Sequence, residues 1–449
     1  MRYVILFLLI QASVVQAAYS QGNRALDRGV RVGITYAPGT LPGLLILDGE
    51  RGSFVDSVRA ILQRDLDYSD LFELILLFGG DHLTSGPGQG SGPPASDGLP
   101  AVVNYQLYAA LGAQFAVDVV SHGDSGVSVT LYDVLGETVR TELHIPNQEV
   151  GDARFRTTVH SVADEVVLGA AGTPGIASSQ VLFVRDGRLY RVDSDGANIT
   201  EMATQGRVYS PVWHPDGLSF AYVNFPGDSR IRVASAEGGF GNPDIVVAPA
   251  DGVQDFAPSF SPNGAMMVFA RASRTGTDIY SYDLADDCCL QRLTVCQFSD
   301  NLSPTYSPDG RQIAFVSTRA GQPQIYVMAS EGTGQELFAP FDFGVTGSSF
   351  APEWSPDGLN VAFHRDVEGS TQVFVMDVAS RSVRQLTSAG RNEDPTWAPD
   401  GRHLAYVSSR AGSNQIWIID IETGRIRQLT RMGKVRLPAW SSRQSGSVL

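Results

Sequence analysis

Five polar side chains recur at matching places in the second half of the chain. Asp216, Asn263, Asp309, Asp357 and Asp400 each follow a proline and precede a glycine. A ring of carboxylates at such positions could hold a metal ion or supply paired acid–base groups. Their neighbours argue for a different job. Ser307-Pro308-Asp309-Gly310 offers a side-chain acceptor, a proline that presets φ, then Asp and Gly, which is the residue order of a type I turn. Asn263 suits that turn as well as Asp does but cannot act as a carboxylate, so the repeated residues are expected to shape the chain rather than react.

The other chemically able residues do not form a catalytic set. The seven histidines are scattered, and neither His-Glu-x-x-His nor Gly-x-Ser-x-Gly occurs. His214 and His364 fall near turns, where hydrogen bonding is the expected role. The glycine-rich stretch 79–98 lacks the Gly-Lys-Ser/Thr ending of a phosphate loop and has the composition of a linker. Cys288, Cys289 and Cys296 lie close together with no histidine nearby to complete a metal site. In an oxidising compartment Cys296 is expected to bridge to Cys288 or Cys289, with Cys289–Cys296 the preferred pair.

The turns belong to a longer phrase. Ser210-Pro211-Val212-Trp213-His214-Pro215-Asp216-Gly217 returns at 257–264, 303–310, 351–358 and 394–401, and Leu437-Pro438-Ala439-Trp440-Ser441 is a broken sixth copy. Its aromatic anchors Trp213, Phe260, Tyr306, Trp354, Trp397 and Trp440 are spaced 47, 46, 48, 43 and 43 residues apart. Each unit carries short runs of alternating strand formers, as in 312–317 and 324–328, with a fourth strand at 384–387 and 427–430. Four strands repeated at this period define a β-propeller blade. The strand at Trp440 has no successors, and the strands at 180–184, 189–192 and 199–202 have no anchor strand before them. The two fragments complete one another, which predicts six blades over 178–442 with the last built from both ends of the repeat region.

Residues 23–172 read as a small α/β domain, so the fold class is mainly β with an N-terminal α/β part. Strands are expected at 44–47, 72–78, 115–120, 127–134 and 138–145. Val55, Val58, Ile61, Leu62 and Leu66 share one face of a helix, and Asp152 caps another whose apolar face is Phe155, Val159, Val162 and Val166. The Gly/Ser/Pro-rich insertion 79–100 is expected to be a flexible surface loop. Residues 1–17 read as a secretory signal: Arg2, an apolar run at 4–10, and small residues for cleavage near Ala17. That run is shorter than the roughly 20 residues of a spanning helix. The net charge of −15 argues against nucleic acid as a partner.

The export signal, the α/β start and the Ser-Pro-Asp-Gly propeller together resemble the TolB family, the periplasmic component of the Tol–Pal envelope system. Residues 54–72, Leu111-Gly112-Ala113-Gln114-Phe115 and 160–167 are similar to the family's first helix and turn, its next helix-to-strand junction and its last helix before the propeller. The resemblance implies a non-catalytic periplasmic adaptor, expected to be monomeric, that supports outer-membrane integrity and constriction during division. It implies a peptidoglycan-associated lipoprotein (Pal) on one propeller face and a TolA-like inner-membrane protein on the N-terminal segment. Val30, Val32 and Ile34 are the best match to that segment. The residues at 36–42 and the insertion 79–100 depart from the family pattern.

Propeller topology nominates the partner face. Loops entering the inner strands and loops joining the second and third strands share one side, which places Asp255, Arg271, Asn301, Arg319, Ser349, His364, Arg365, Asn392, Glu393 and Arg410 there. Paired Arg and acidic groups would suit a protein partner read by hydrogen bonds. Two alternatives stand beside the adaptor reading. One is an exported propeller enzyme, a peptidase or glycan lyase. The other is a cation- or glycan-binding module, with Ca²⁺ held in the channel by Asp255, Asn301 and nearby carbonyls. No cofactor is otherwise expected.

Overall fold

The computed structural model describes residues 41–47, 52–76, 103–225, 229–237, 244–246, 252–295, 299–339 and 347–443, all within one compact unit. The signal segment, Val30, Val32 and Ile34, the insertion 79–100 and Cys296 lie outside the described residues.

The first part is a five-stranded sheet. Its strands are β1 (Gly43–Ile46), β2 (Glu73–Leu76), β3 (Ala113–Ser121), β4 (Val127–Asp133) and β5 (Thr138–Ile145), in the order β2-β1-β3-β4-β5. β1 lies parallel to both neighbours, and its four residues are all buried. Helices α1 (Ser53–Tyr68) and α3 (Ala153–Ala171) cover one face, with Val58, Leu62, Leu66, Val159, Val162 and Val166 packed on Leu44, Val117, Val129 and Leu131. The short helix α2 (Tyr105–Ala110) packs with Leu45 and Ala116. Asp152 caps α3 as its type predicts, accepting the Arg154 N–H at 2.7 Å, and Gly172 ends it at φ 73°.

Six antiparallel four-stranded sheets follow. Their innermost strands are Arg207–Trp213, Gln254–Phe260, Asn301–Tyr306, Ser349–Trp354, Asn392–Trp397 and Val435–Trp440, which define blades 1 to 6. Blade 6 pairs Val435–Trp440 with Gln180–Arg185, followed by Arg188–Asp193 and Thr200–Glu201. Ring closure therefore joins residues from both ends of the repeat region, as expected.

The recurring phrase proves to be two devices in series. The residue before proline (Ser210, Ala257, Ser303, Ala351, Asp394 or Leu437) adopts φ between 45° and 52° in every blade. The ladder register shifts there each time. Proline has no N–H for the ladder, so the chain bulges, at a cost of about 1–3 kcal/mol for a left-handed non-glycine residue. The turn that follows is closed by its own side chains. Asp309 Oδ1 accepts the Ser307 hydroxyl at 2.6 Å and the Arg311 N–H at 3.1 Å, while Gly310 sits at φ 72°. Asn263 does the same work for Ser261 and Ala265, at 2.7 and 3.1 Å. The anchors stitch neighbouring blades: Trp397 Nε1 donates to the Glu353 carbonyl at 3.0 Å, and Trp213 Nε1 to the Ala439 carbonyl at 3.1 Å.

The cysteine expectation needs correction. Cys288 is bridged to Cys289, its sequence neighbour, in place of the expected Cys289–Cys296 pair. The pair opens the outer strand Cys288–Arg292 just where its register with the third strand breaks. Asp287 and Cys289 both have positive φ, so the backbone is irregular at the bridge, a feature no spacing argument could supply.

Candidate functional site

The ten residues nominated for a partner surface do gather at the end of the propeller where the inner strands begin. Most of them do not face outward. Asp255, Arg271, Asn301, Ser349, Arg365 and Asn392 are buried, and Arg319, His364, Glu393 and Arg410 are half-buried. The arginines form one repeated arrangement, each lying over the aromatic pair of its own second and third strands. Arg271 covers Phe269 and Tyr280, Arg319 covers Phe315 and Tyr326, Arg365 covers Phe363 and Phe374, and Arg410 covers Tyr406 and Trp417, all with guanidinium carbons 4.7–5.6 Å from the ring centroids.

Their polar atoms are engaged within the blades. Arg271 clasps both oxygens of Asp255 at 2.6 and 2.8 Å. Arg319 reaches Asn301 Oδ1 at 3.2 Å, Arg365 reaches Ser349 Oγ at 2.9 Å, and Arg410 reaches Ser408 Oγ at 3.1 Å. Asn392 donates to Gln372 Oε1 at 2.8 Å. These groups brace the loops at this end of the propeller. A Ca²⁺ ion shared by Asp255 and Asn301 fits poorly for the same reason: the carboxylate is already neutralised by Arg271, and Asn301 Nδ2 donates to Asp278 Oδ1 at 3.1 Å.

The surface left available comes one residue later on each inner strand. Tyr209, Phe256, Leu302, Phe350, Glu393 and Arg436 are half-buried and immediately precede the residues that line the central channel. Blades 1–4 thus present an apolar, largely aromatic arc, and blades 5 and 6 present one acid and one base. Arg436 lies 4.7 Å from the Tyr209 ring, and Phe350 packs against His364 at 5.5 Å. Except for Glu393, the sequence reading missed this ring. The period-2 alternation of a strand was the available signal, since it turns each successive side chain to the opposite side.

Below the ring runs a channel of about 390 Å³ walled by the six Pro-x-aromatic segments. Its distinctive group is Glu353, whose Oε1 accepts the Thr396 hydroxyl at 3.0 Å and the Trp397 N–H at 2.9 Å. Burial pushes its carboxyl up to about 7. Asp394 is likewise raised by burial, while His364 is lowered by it and accepts the Asp394 N–H at Nδ1, 3.1 Å away, as a neutral ring does. The folded chain therefore binds a proton at Glu353 that the unfolded chain releases near pH 4.5. Stability from this group is present below pH 4.5 and falls as pH rises towards 7. Glu353→Gln is expected to flatten that slope and to add about 2 kcal/mol at pH 8, measured by urea unfolding across pH. An unchanged slope would contradict this account.

The opposite end of the propeller is covered by the α/β layer over blades 5 and 6. Two polar hubs join them. In the first, His160 of α3 meets Asp65 of α1 at 2.7 Å, and Arg156 reaches Asp193 and Asp195 of blade 6 at 3.2 and 2.5 Å. In the second, His403 of blade 5 lies between Asp400 at 2.6 Å and Asp70, just after α1, at 3.2 Å. Arg402 donates to the Asp70 carbonyl at 2.9 Å and pairs with Asp420, while Arg425 pairs with Asp70 at 2.6 Å. Neighbouring carboxylates raise His160 to about 10 and His403 to about 9 against the opposing effect of burial. Asp65, His160 and Asp195, and likewise Asp70, His403 and Asp420, are close enough to ligate a metal. Arg156 and Arg402 already supply the positive charge there.

Comparison with known proteins agrees with this geometry. The family model described as the TolB beta propeller domain matches residues 170–339 and 343–449. A TolB homolog of Chlorobium chlorochromatii is 29% identical over 233 residues, 49% of each chain. A Tol-Pal system protein TolB of Bordetella pertussis is 28% identical over 187 residues, 40% of this chain and 42% of its own. The chain thus spans about half or less of the length of these curated relatives. The crystal structure of TolB from Acinetobacter baumannii superposes with a TM-score of 0.71 at 24% identity, covering 91% of this chain and 98% of that one, which shows a shared fold.

Proposed function

Because the chain belongs to the TolB β-propeller family, we propose that it is a non-catalytic, monomeric adaptor of a Tol–Pal envelope system, exported to the periplasm. The observation that carries the reading is the match of the family model across all six blades. A Pal-like lipoprotein would dock on the propeller end ringed by Tyr209, Phe256, Leu302, Phe350, Glu393 and Arg436. Aromatic residues and arginine are the types that anchor protein interfaces, and the braced loops behind them keep the surface preorganised. A TolA-like inner-membrane partner would engage the segment containing Val30, Val32 and Ile34. Such contacts would support outer-membrane integrity and constriction.

The test is capture from the native envelope. The full exported protein should retain a Pal-like lipoprotein, and the double variant Phe350→Asp/Glu393→Arg should lose at least about tenfold in recovery at unchanged thermal stability. Equal recovery by the variant would move the docking surface elsewhere. Turnover of peptides or envelope glycans by the pure protein would overturn the adaptor reading itself.

A further inference from the structure

The outer strand of blade 2 carries one residue more than its counterparts. In blades 3 to 6 the third-strand aromatic and its outer-strand partner are eleven residues apart: Tyr326–Leu337, Phe374–Gln385, Trp417–Gln428 and Tyr190–Glu201. In blade 2, Tyr280 and Arg292 are twelve apart. The turn is not the cause. Asp283 pairs with Cys288, five residues on. The same spacing joins the Asp377 N–H to the Ser382 carbonyl in blade 4 and the Asp420 N–H to the Arg425 carbonyl in blade 5, both at 3.0 Å. The surplus therefore falls between Cys288 and Gln291, where the register breaks, and Cys289, at φ 64°, is the bulged residue.

This inserted cysteine is the one bonded to its neighbour. A bridge stabilises a fold through the loop it closes in the unfolded chain, and a bridge between adjacent residues closes the shortest loop possible. The pair is thus poorly suited to holding the fold. Blade 2 does not pack through it either: neither cysteine belongs to the apolar clusters on the two sides of that blade. Cys289 is exposed and Cys288 half-buried, on the outermost strand, so a thiolate from solvent can reach the bridge. The adjoining turn is held by bonds of its own. Asp287 Oδ1 accepts the Tyr282 hydroxyl at 2.8 Å, and Asp283 Oδ1 accepts the Ala285 and Asp286 N–H groups at 3.0 and 3.1 Å.

We propose that Cys288–Cys289 is a reversible thiol–disulfide exchange site whose opening loosens the outer strand of blade 2. The reductant is a dithiol. Its thiolate attacks Cys289 Sγ, the bridge breaks, and Cys288 leaves as a thiolate that takes up a proton. The second thiolate of the reductant then attacks its own sulfur in the mixed disulfide, and Cys289 leaves and is protonated in turn. Two electrons and two protons pass to the cysteines, and the reductant departs as a disulfide. An oxidised dithiol reverses the sequence. Once open, Cys289 is an unconstrained non-glycine residue at positive φ, a conformation such residues leave readily, so the bulge relaxes. The site is on the outermost strand, apart from the inner-strand ring proposed for docking, and does not depend on that reading.

Differential alkylation with mass mapping of the full exported protein tests the exchange. Without reductant, Cys288 and Cys289 should be bridged to each other and inert to iodoacetamide. With dithiothreitol under native conditions both should alkylate, and oxidised dithiothreitol should restore the bridge. Hydrogen exchange over Cys288–Arg292 should quicken about fivefold or more on reduction, while Gln312–Ser317 of blade 3 and the urea midpoint stay unchanged. Cys288→Ser/Cys289→Ser keeps the extra residue without the bond and should exchange at the reduced rate in either buffer. Several results would each overturn the proposal. They are a bridge from either cysteine to Cys296, a pair that alkylates before reduction, and a bridge that opens only in urea. Exchange that ignores redox state, a urea midpoint that falls on reduction, or a double variant that keeps the oxidised rate would do the same.

Discussion

Trp440→Ala is expected to destabilise the protein by about 4 kcal/mol and to open blade 6 before any other blade. Trp440 is 7% exposed and packs with Val181, Phe183 and Val435 where the two ends of the propeller meet. Its indole N–H donates to Ser179 Oγ at 2.7 Å, 261 residues away in sequence. Gln180 N to Ser441 Oγ at 2.9 Å and Ser441 N to the Gln180 carbonyl at 2.8 Å extend the same seam. In blades 1 to 5 a short turn ties the inner strand to its neighbour, so a loosened strand re-pairs at low entropic cost. Blade 6 has no such tether.

Phe260→Ala is the control, because it also removes a buried anchor but from a blade whose inner and second strands are chain-connected. Both variants should lose global stability in urea. Hydrogen exchange should separate them: in Trp440→Ala, Gln180–Arg185 and Val435–Trp440 lose protection while blades 2 to 4 keep theirs. Uniform loss of protection around the ring would show that closure is not the weak point.

The same contrast explains what could be read from the chain. Blade number and closure were legible because the Pro-x-aromatic phrase is periodic and its last, incomplete copy supplies the anchor strand that the strands at 180–202 lack. The cap at Asp152 and the turn role of Asn263 were legible because each acts on backbone groups within three residues. The site was only partly legible. Asp255, Arg271 and Asn392 have polar side chains on loop-proximal positions, which reads as exposure. Stacking of each Arg over an aromatic pair buries its stem and turns its polar head back into the blade. The half-buried ring proposed as a docking surface was one residue away, at positions that in blades 1 to 4 are largely apolar and read as core. The hubs at His160 and His403 depend on Asp65, brought to His160 by packing of α1 on α3, and on Asp70 and Asp193, brought together with them by docking of the α/β layer on the propeller, rather than on local pattern.

Those hubs should make the attachment of the α/β layer sensitive to alkali. Asp70 and Asp400 favour the charged imidazole of His403, whereas Arg427 and burial oppose it, and the carboxylates prevail to raise it to about 9. Around His160, Asp65, Asp193 and Asp195 raise it to about 10 despite burial and the adjacent Arg156. An unfolded histidine titrates near 6.5. Between pH 6.5 and 9 the folded chain therefore holds protons that the unfolded chain has released, and stability falls with rising pH. The contribution is complete below about 6.5 and is lost as pH passes through 9 to 10. At about 1.4 kcal/mol per unit, His403 alone accounts for about 3 kcal/mol. His403→Gln should lower stability by that order at pH 6.5, and its unfolding free energy should change less than wild type between pH 7 and 10. Asp70→Ala should cost about 1–3 kcal/mol, since the buried His403 Nε2 then loses its partner while Asp400 still holds Nδ1 and Arg425 is half-exposed. Both effects should survive high salt, because His403 and Asp70 are buried and mobile ions screen them poorly. A wild-type stability that stays level from pH 7 to 10, or rises, would show that the two imidazoles are not charged in the fold.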